Sequence, residues 1–161
     1  MKILAIDPGT EQSAYVVWDS EKQEIAEEGL DSSRFREHGI YANKVILTEQ
    51  ISDCDYDHAA IEMVASYGMA VGKTIFETCV WIGRFAQEIS AQRNIEASFV
   101  YRKDIKMHFC NSTRAKDSNI RQALIDRFGE PGTKKAPGLL YGVKKDIWSA
   151  LAVAIYYADT H

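Results

Sequence analysis

The feature that most constrains this chain is a short apolar run that ends on a carboxylate. Residues 2–10 read KILAIDPGT, so Ile3, Leu4, Ala5 and Ile6 are followed at once by Asp7, Pro8 and Gly9. Four consecutive apolar residues stopped by a Pro-Gly turn predict a buried strand. A carboxylate at the end of such a strand is costly unless something positive faces it. Two more acids recur in similar settings: Glu62 closes the run AAIE, and Asp146 opens the apolar segment DIWSALAVAIYYA. Three separated carboxylates that converge would make a site for a divalent cation. Each also has a plainer reading as a turn or cap residue, which for Asp146 alone stands equally open.

The rest of the chain can be laid out around that strand. Residues 13–18 (SAYVVW) and 23–30 (QEIAEEGL) read as two further strands, joined by a polar turn at 19–22, giving an antiparallel meander. Residues 31–39 read as a loop and 40–52 as a first helix, with Ile40, Val45, Ile46, Leu47 and Ile51 near helical spacing. The segment 58–62 is a short buried strand, and 65–73, with Gly68 and Gly72, a mobile loop directly after Glu62. Thr74 is the expected cap of the longest helix, running to about Arg93. Its apolar set exceeds one stripe: Phe76, Val80 and Gly83 form a second face, to be buried in the same chain or against a second copy. A fifth strand at 97–101, helices at about 102–109 and 116–128, a loop at 130–142 and a buried helix at 146–158 complete the order. The expected architecture is α/β, a five-stranded mixed sheet flanked by helices, in a single domain spanning 1–161.

Composition bears on function mainly through its unevenness. The net charge is −4, yet residues 1–101 hold 8 Lys and Arg against 17 Asp and Glu, while residues 102–145 hold 11 against 4. One segment is therefore +7 inside an acidic protein. It is either a solvated basic face or a phosphate-binding surface beside a metal site, and the clustering favours the second. Arg102, Lys103, Arg114, Arg121, Lys134, Lys135, Lys144 and Lys145 read as binders of a nucleic-acid backbone, which position DNA without reading its sequence. Cys54, Cys79 and Cys110 are odd in number and lack CxxC spacing, so neither a zinc site nor a disulfide framework is expected. His58 and His108 have no metal-ligand partner at helical spacing and read as structural. No run approaches the ~18 apolar residues of a membrane span, and only four apolar residues stand between Lys2 and Asp7, so neither a signal peptide nor a membrane partner is expected and the expected location is soluble and cytoplasmic.

The order of elements resembles the ribonuclease H-like fold, and more closely the RuvC-type Holliday junction resolvases, in particular their short phage-encoded branch. The residues that carry the resemblance are IDPGT at 6–10, Ile61-Glu62, and DIWSALAVA at 146–154. The motifs are short, but their order and spacing span nearly the whole chain. The resemblance implies a structure-selective endonuclease that works as a homodimer and cuts two strands of a four-way DNA junction. By matching position, Asp7, Glu62 and Asp146 would bind two ions, Mg2+ or Mn2+, with Asp7 bridging them. The family usually carries a fourth acid one helical turn after the third. Ser149 stands there, supplying at most a weak neutral ligand or holding a water. The resemblance also places lysines near the scissile phosphate, which Lys106 and Lys116 match, and an aromatic wedge near Tyr67, which would stack on an unpaired base. Solvated lysines and a surface tyrosine are the plainer readings of those three.

Other readings share some of these residues. The same chemistry would serve an RNA–DNA hybrid or a replication fork, and Ser149 leaves room for a junction binder that does not cut. IDPGT also resembles the first phosphate loop of the actin and sugar-kinase ATPases. Those proteins enclose their nucleotide between two lobes, which 161 residues do not easily supply, so no nucleotide cofactor is expected.

Overall fold

The computed structural model describes residues 1–26 and 37–161. Its centre is a six-stranded mixed sheet in the order β3-β2-β1-β5-β6, with β4 also pairing β2. The strands are β1 (Lys2–Asp7), β2 (Gln12–Asp19), β3 (Glu24–Ile25), β4 (His38–Ala42), β5 (His58–Met63) and β6 (Ser98–Tyr101). β1 runs antiparallel to β2 and parallel to β5, which is itself parallel to β6. β3 and β4 share one edge of β2: β3 meets Trp18 and Asp19, and β4 meets 12–16.

Alternation along β1 divides the core into two layers. Ile3 and Ala5 face one side, Leu4 and Ile6 the other, as successive strand residues must. On the first side lie α4 (Arg102–Cys110), α5 (Asp117–Phe128) and α6 (Ile147–Thr160). α6 buries nine residues from Ile147 to Tyr157, matching its apolar sequence. On the second side lie α1 (Asn43–Val45), a π-helical segment (Ile46–Gln50), α2 (Ile51–Asp53) and α3 (Lys73–Arg93), which inserts Ile82, Phe85 and Ile89.

Three expectations are corrected. The sheet gains a sixth strand because His38–Ala42 pairs with β2, placing Ile40 opposite Ala14 and Tyr41 opposite Ser13. A short apolar stretch beside a helix carries no periodicity that separates strand from helix, so the first helix starts at Asn43 rather than residue 40. Thr74 does not cap α3: Gly72 holds that position in extended backbone, and the Thr74 carbonyl accepts a hydrogen bond from Thr78 Oγ1. The second face of α3 is not buried within the chain, for Phe76 and Val80 are each 61% exposed. Of the third predicted strand, 27–30 lie outside the described residues, as does most of the loop at 31–39; the described part, β3, is two residues long.

Candidate active site

Register brings the first two carboxylates together. β1 and β5 pair in parallel with Ile6 opposite Ile61, so Asp7 and Glu62, one residue on, leave the same end of adjacent strands. Alternation sends both to the α6 side, since Ala5 and Ala60, two residues back, pack in that layer. On β6 the partner of Glu62 is Val100, which also faces that layer. Two residues later the chain enters α4 at Arg102, whose side chain reaches back over the strand ends. The site therefore lies at the carboxyl ends of the parallel strands, where open α/β sheets place their ligands.

The turn that carries Asp7 is pinned from behind. Asn43 is buried at the start of α1, and its Nδ2 donates to the Gly9 carbonyl at 2.8 Å. Ser13 Oγ donates to Asn43 Oδ1, and the Gly9 N–H donates to Ser13 Oγ at 3.1 Å. Gly9 must be glycine, because a Cβ there would lie 2.3 Å from the Gln12 carbonyl oxygen. Sequence reading passed over Asn43 and Ser13, which carry no motif; their role is visible only once β4 and α1 are in place.

The electrostatics of the pair are those of two acids short of cations. Burial, then the negative charge of Glu62, push the Asp7 carboxyl up to about 9, with Arg102 pulling the other way. Burial raises Glu62 as well, again against Arg102. Glu62 Oε2 is buried and has no hydrogen-bond partner among the described residues. Two half-buried carboxylates with an orphaned oxygen fit a hard divalent cation such as Mg2+ or Mn2+, which takes oxygen ligands.

The outer side of the site is organised by Arg102. Its Nε lies 3.4 Å from Glu62 Oε1, its Nη2 3.2 Å from Asp117 Oδ1, and both Nη atoms donate to Ser149 Oγ at 3.4 Å. Arg102, read from the sequence as a backbone binder, turns its guanidinium inward to carboxylates. Asp117 was missed, since its position beside Lys116 reads only as a helix start. Asp146 occupies the N-cap of α6, where its carbonyl accepts from Ala150 N–H, but its side chain makes no capping hydrogen bond. Its charge adds to that felt by Asp7 and Glu62. Among the described residues, however, no three His, Cys, Asp or Glu side chains come together closely enough to hold a metal ion. Asp7 and Glu62 meet; Asp146 stands off on an exposed rim.

The remaining predicted residues surround this centre unevenly. A cleft of about 290 Å3 is lined by Arg102, Asp117, Arg121, Lys145, Asp146 and Ser149, among others. A second, of about 320 Å3, is lined by Tyr67, Arg102, Lys103, Lys106 and Thr113. Arg102 belongs to both and so separates the Asp146 cleft from the Tyr67 cleft. Tyr67 is 65% exposed, at positive φ, in the loop after β5. Arg121 lies over the Trp148 ring at 4.8 Å. Lys144 and Lys145 line a third cleft against β4, with His38 and Tyr41. Lys116 is exposed at the start of α5, where its N–H donates to Asn119 Oδ1 at 2.8 Å. Arg114, Lys134 and Lys135 are exposed on connecting segments, the last two in a loop closed by the Gly132–Pro137 bridge.

Comparison with solved structures gives the architecture its name. A structure of Thermus thermophilus RuvC superposes with a TM-score of 0.66 at 16% identity, covering 99% of this chain and 96% of that one. The fold is that of RuvC. A second RuvC structure from T. thermophilus, in complex with a Holliday junction substrate, also gives 0.66, at 14% identity over 98% and 93% of the two chains. The likeness in fold thus runs nearly end to end. No protein-family model matches this sequence, and no curated protein does. No described helix is long and apolar enough to cross a membrane.

Proposed function

We propose that this chain is a divalent-metal-dependent endonuclease, a single domain over 1–161, that cuts branched DNA, four-way junctions above all, by phosphodiester hydrolysis. The observation that carries the reading is the half-buried Asp7–Glu62 pair, with its orphaned Glu62 Oε2, at the strand ends of a RuvC fold. One neighbour of that fold holds a Holliday junction substrate.

Asp7 and Glu62 would hold the ion, with Asp146 on the rim and Ser149 as a neutral or water-mediated contact. A divalent ion held there would lower the pKa of a water and neutralise charge on phosphate oxygens. The chain's own part is to deliver the phosphate and exclude alternatives. Lys106 and Lys116 neutralise charge near the scissile phosphate. Lys103, Arg121, Lys144 and Lys145 border the clefts and hold the backbone, with Arg114, Lys134 and Lys135 farther along the basic segment. Tyr67 stacks on a base left unpaired where strands exchange. In the reaction, water oxygen bonds to phosphorus as one P–O bond to sugar breaks, leaving a phosphate end and a hydroxyl end. Paired cuts need two sites, and the exposed Phe76 and Val80 on α3 suit a homodimer contact.

Incubating labelled junction, fork, linear duplex and RNA–DNA hybrid of related sequence with Mg2+, Mn2+ or EDTA tests the reading. Metal-dependent cuts confined to the junction are expected. Preferential cutting of fork or hybrid would move the substrate, and indifferent cutting would remove junction selectivity. A second reading, a junction binder that does not cut, is favoured by the Arg102 fork on Glu62 and Ser149. Tight junction binding without cleavage in either metal would establish it.

A further inference from the structure

We propose that Arg102 is a built-in cation of the active site, standing where a second divalent ion would load, so that each chain takes up one ion rather than two. The inference rests on the metal-nuclease reading above and deepens it.

Three elements aim oxygens at one point above the strand ends. Glu62 comes from the end of β5, Asp117 from the start of α5 and Ser149 from the first turn of α6. The Arg102 guanidinium meets all three, through Nε to Glu62 at 3.4 Å, Nη2 to Asp117 at 3.2 Å and both Nη atoms to Ser149 at 3.4 Å. A magnesium-sized ion needs its oxygens at about 2.1 Å in near-octahedral array. Oxygens already engaged by a guanidinium can serve it only if the arginine leaves. Leaving is opposed because the partly buried guanidinium, with 29% side-chain exposure, would give up its contacts with Glu62, Asp117 and Ser149 together.

The two sides of Glu62 then differ in kind. Oε1 faces Arg102, whereas Oε2 is buried and unpartnered among the described residues, on a carboxylate beside Asp7. The inner side has two carboxylates and an unused oxygen, enough for one ion. The outer side already has its positive charge. Ser149 fits this division: an uncharged hydroxyl accepts from Arg102 without adding a carboxylate that would recruit another divalent ion.

A guanidinium in this place also has work to do toward substrate. Arg102 lines both the Asp146 cleft and the Tyr67 cleft, so its fork borders the two hollows a DNA strand would cross between them. Permanently charged, and with one Nη1 N–H left over from these contacts, it can meet a phosphate from the outer side.

The test counts Mn2+ bound to the full chain, by calorimetry and by electron paramagnetic resonance of free ion, for wild type, Arg102→Gln, Arg102→Lys and Asp7→Asn. The expected counts are one ion per chain for wild type, two for Arg102→Gln, and one for Arg102→Lys, which keeps the charge. The first ion should also bind about tenfold more tightly in Arg102→Gln, a change of ~1.4 kcal/mol. Asp7→Asn should lose the first ion. Two ions in wild type would overturn the proposal while leaving the metal reading standing, and that arm needs no variant to fold. One ion in Arg102→Gln would assign the lower count to Ser149 and also overturn it. No binding by any variant would overturn both.

Discussion

Arg102 Nε stands 3.4 Å from one carboxylate oxygen of Glu62, while the other oxygen of the same side chain is buried without a hydrogen-bond partner among the described residues. The carboxylate is thus half satisfied. That asymmetry organises the site, with an arginine outside and an acid pair inside.

The acid pair makes stability depend on pH with a definite sign. Asp7 ordinarily titrates at 3.8 and is pushed up to about 9, chiefly by burial and then by Glu62. The folded chain therefore keeps a proton that the unfolded chain gives up. Its contribution is full below the ordinary value and is lost as pH rises through about 9. Metal-free protein should melt at lower temperature at pH 9 than at pH 6, and Asp7→Asn should remove much of that slope. Added Mg2+ should raise the melting temperature more at the higher pH, because the ion takes the place of the proton that Asp7 retains. Thermal melts across pH, with and without Mg2+, check this; a flat Mg2+ effect would contradict it.

Asn43 positions Asp7 from outside the site. Asn43→Ala leaves the Gly9 carbonyl and Ser13 hydroxyl without a buried partner, an effect of roughly 1–3 kcal/mol. For a domain of this size that lowers the melting temperature by about 2–4 °C per kcal/mol. Cleavage should slow while junction affinity stays within about twofold, since no phosphate contact is touched. Melting and gel-shift measurements on the variant check both halves. Equal loss of binding and cutting would mean that the turn also meets DNA.

How much of this was legible in the sequence varies with the physics. Asp7 and Glu62 stand out because a charge ending a buried strand is expensive, and expense in one-dimensional sequence is visible. The α6 helix stands out for the same reason, being apolar on nearly all sides. β4 does not, because HGIYA has no period that distinguishes strand from helix and owes its state to β2 beside it. The inward turn of Arg102 was hidden too. A basic segment says that positive charge is present, not which guanidinium folds back onto a carboxylate, and Asp117, its partner, looks like any acid opening a helix.

Away from the site, Asp159 ties three helices together. It accepts from Arg127 Nη1 at 2.6 Å and Nη2 at 2.9 Å, joining α6 to α5, and meets His108 Nε2 of α4 at 2.8 Å. Burial alone would raise its pKa, but the hydrogen bonds from Arg127 and His108 outweigh that and hold it below the ordinary carboxylate range. This contribution is present above the ordinary pKa and disappears as pH falls through the lowered one. Asp159→Asn should destabilise by about 1 kcal/mol near neutrality, the partly exposed Arg127 limiting the effect, and by almost nothing in strong acid. Denaturant unfolding at two pH values checks it.

The central claim is that Asp7 and Glu62 form a metal-dependent site for cutting branched DNA. The most direct measurement pairs wild type with Asp7→Asn on a labelled four-way junction and a linear duplex of the same sequence, scoring binding and cleavage with Mg2+, Mn2+ or EDTA. The account predicts metal-dependent cuts confined to the junction for wild type, and junction binding without cuts for Asp7→Asn. Cleavage that persists in Asp7→Asn, or cutting by wild type in EDTA, would contradict it.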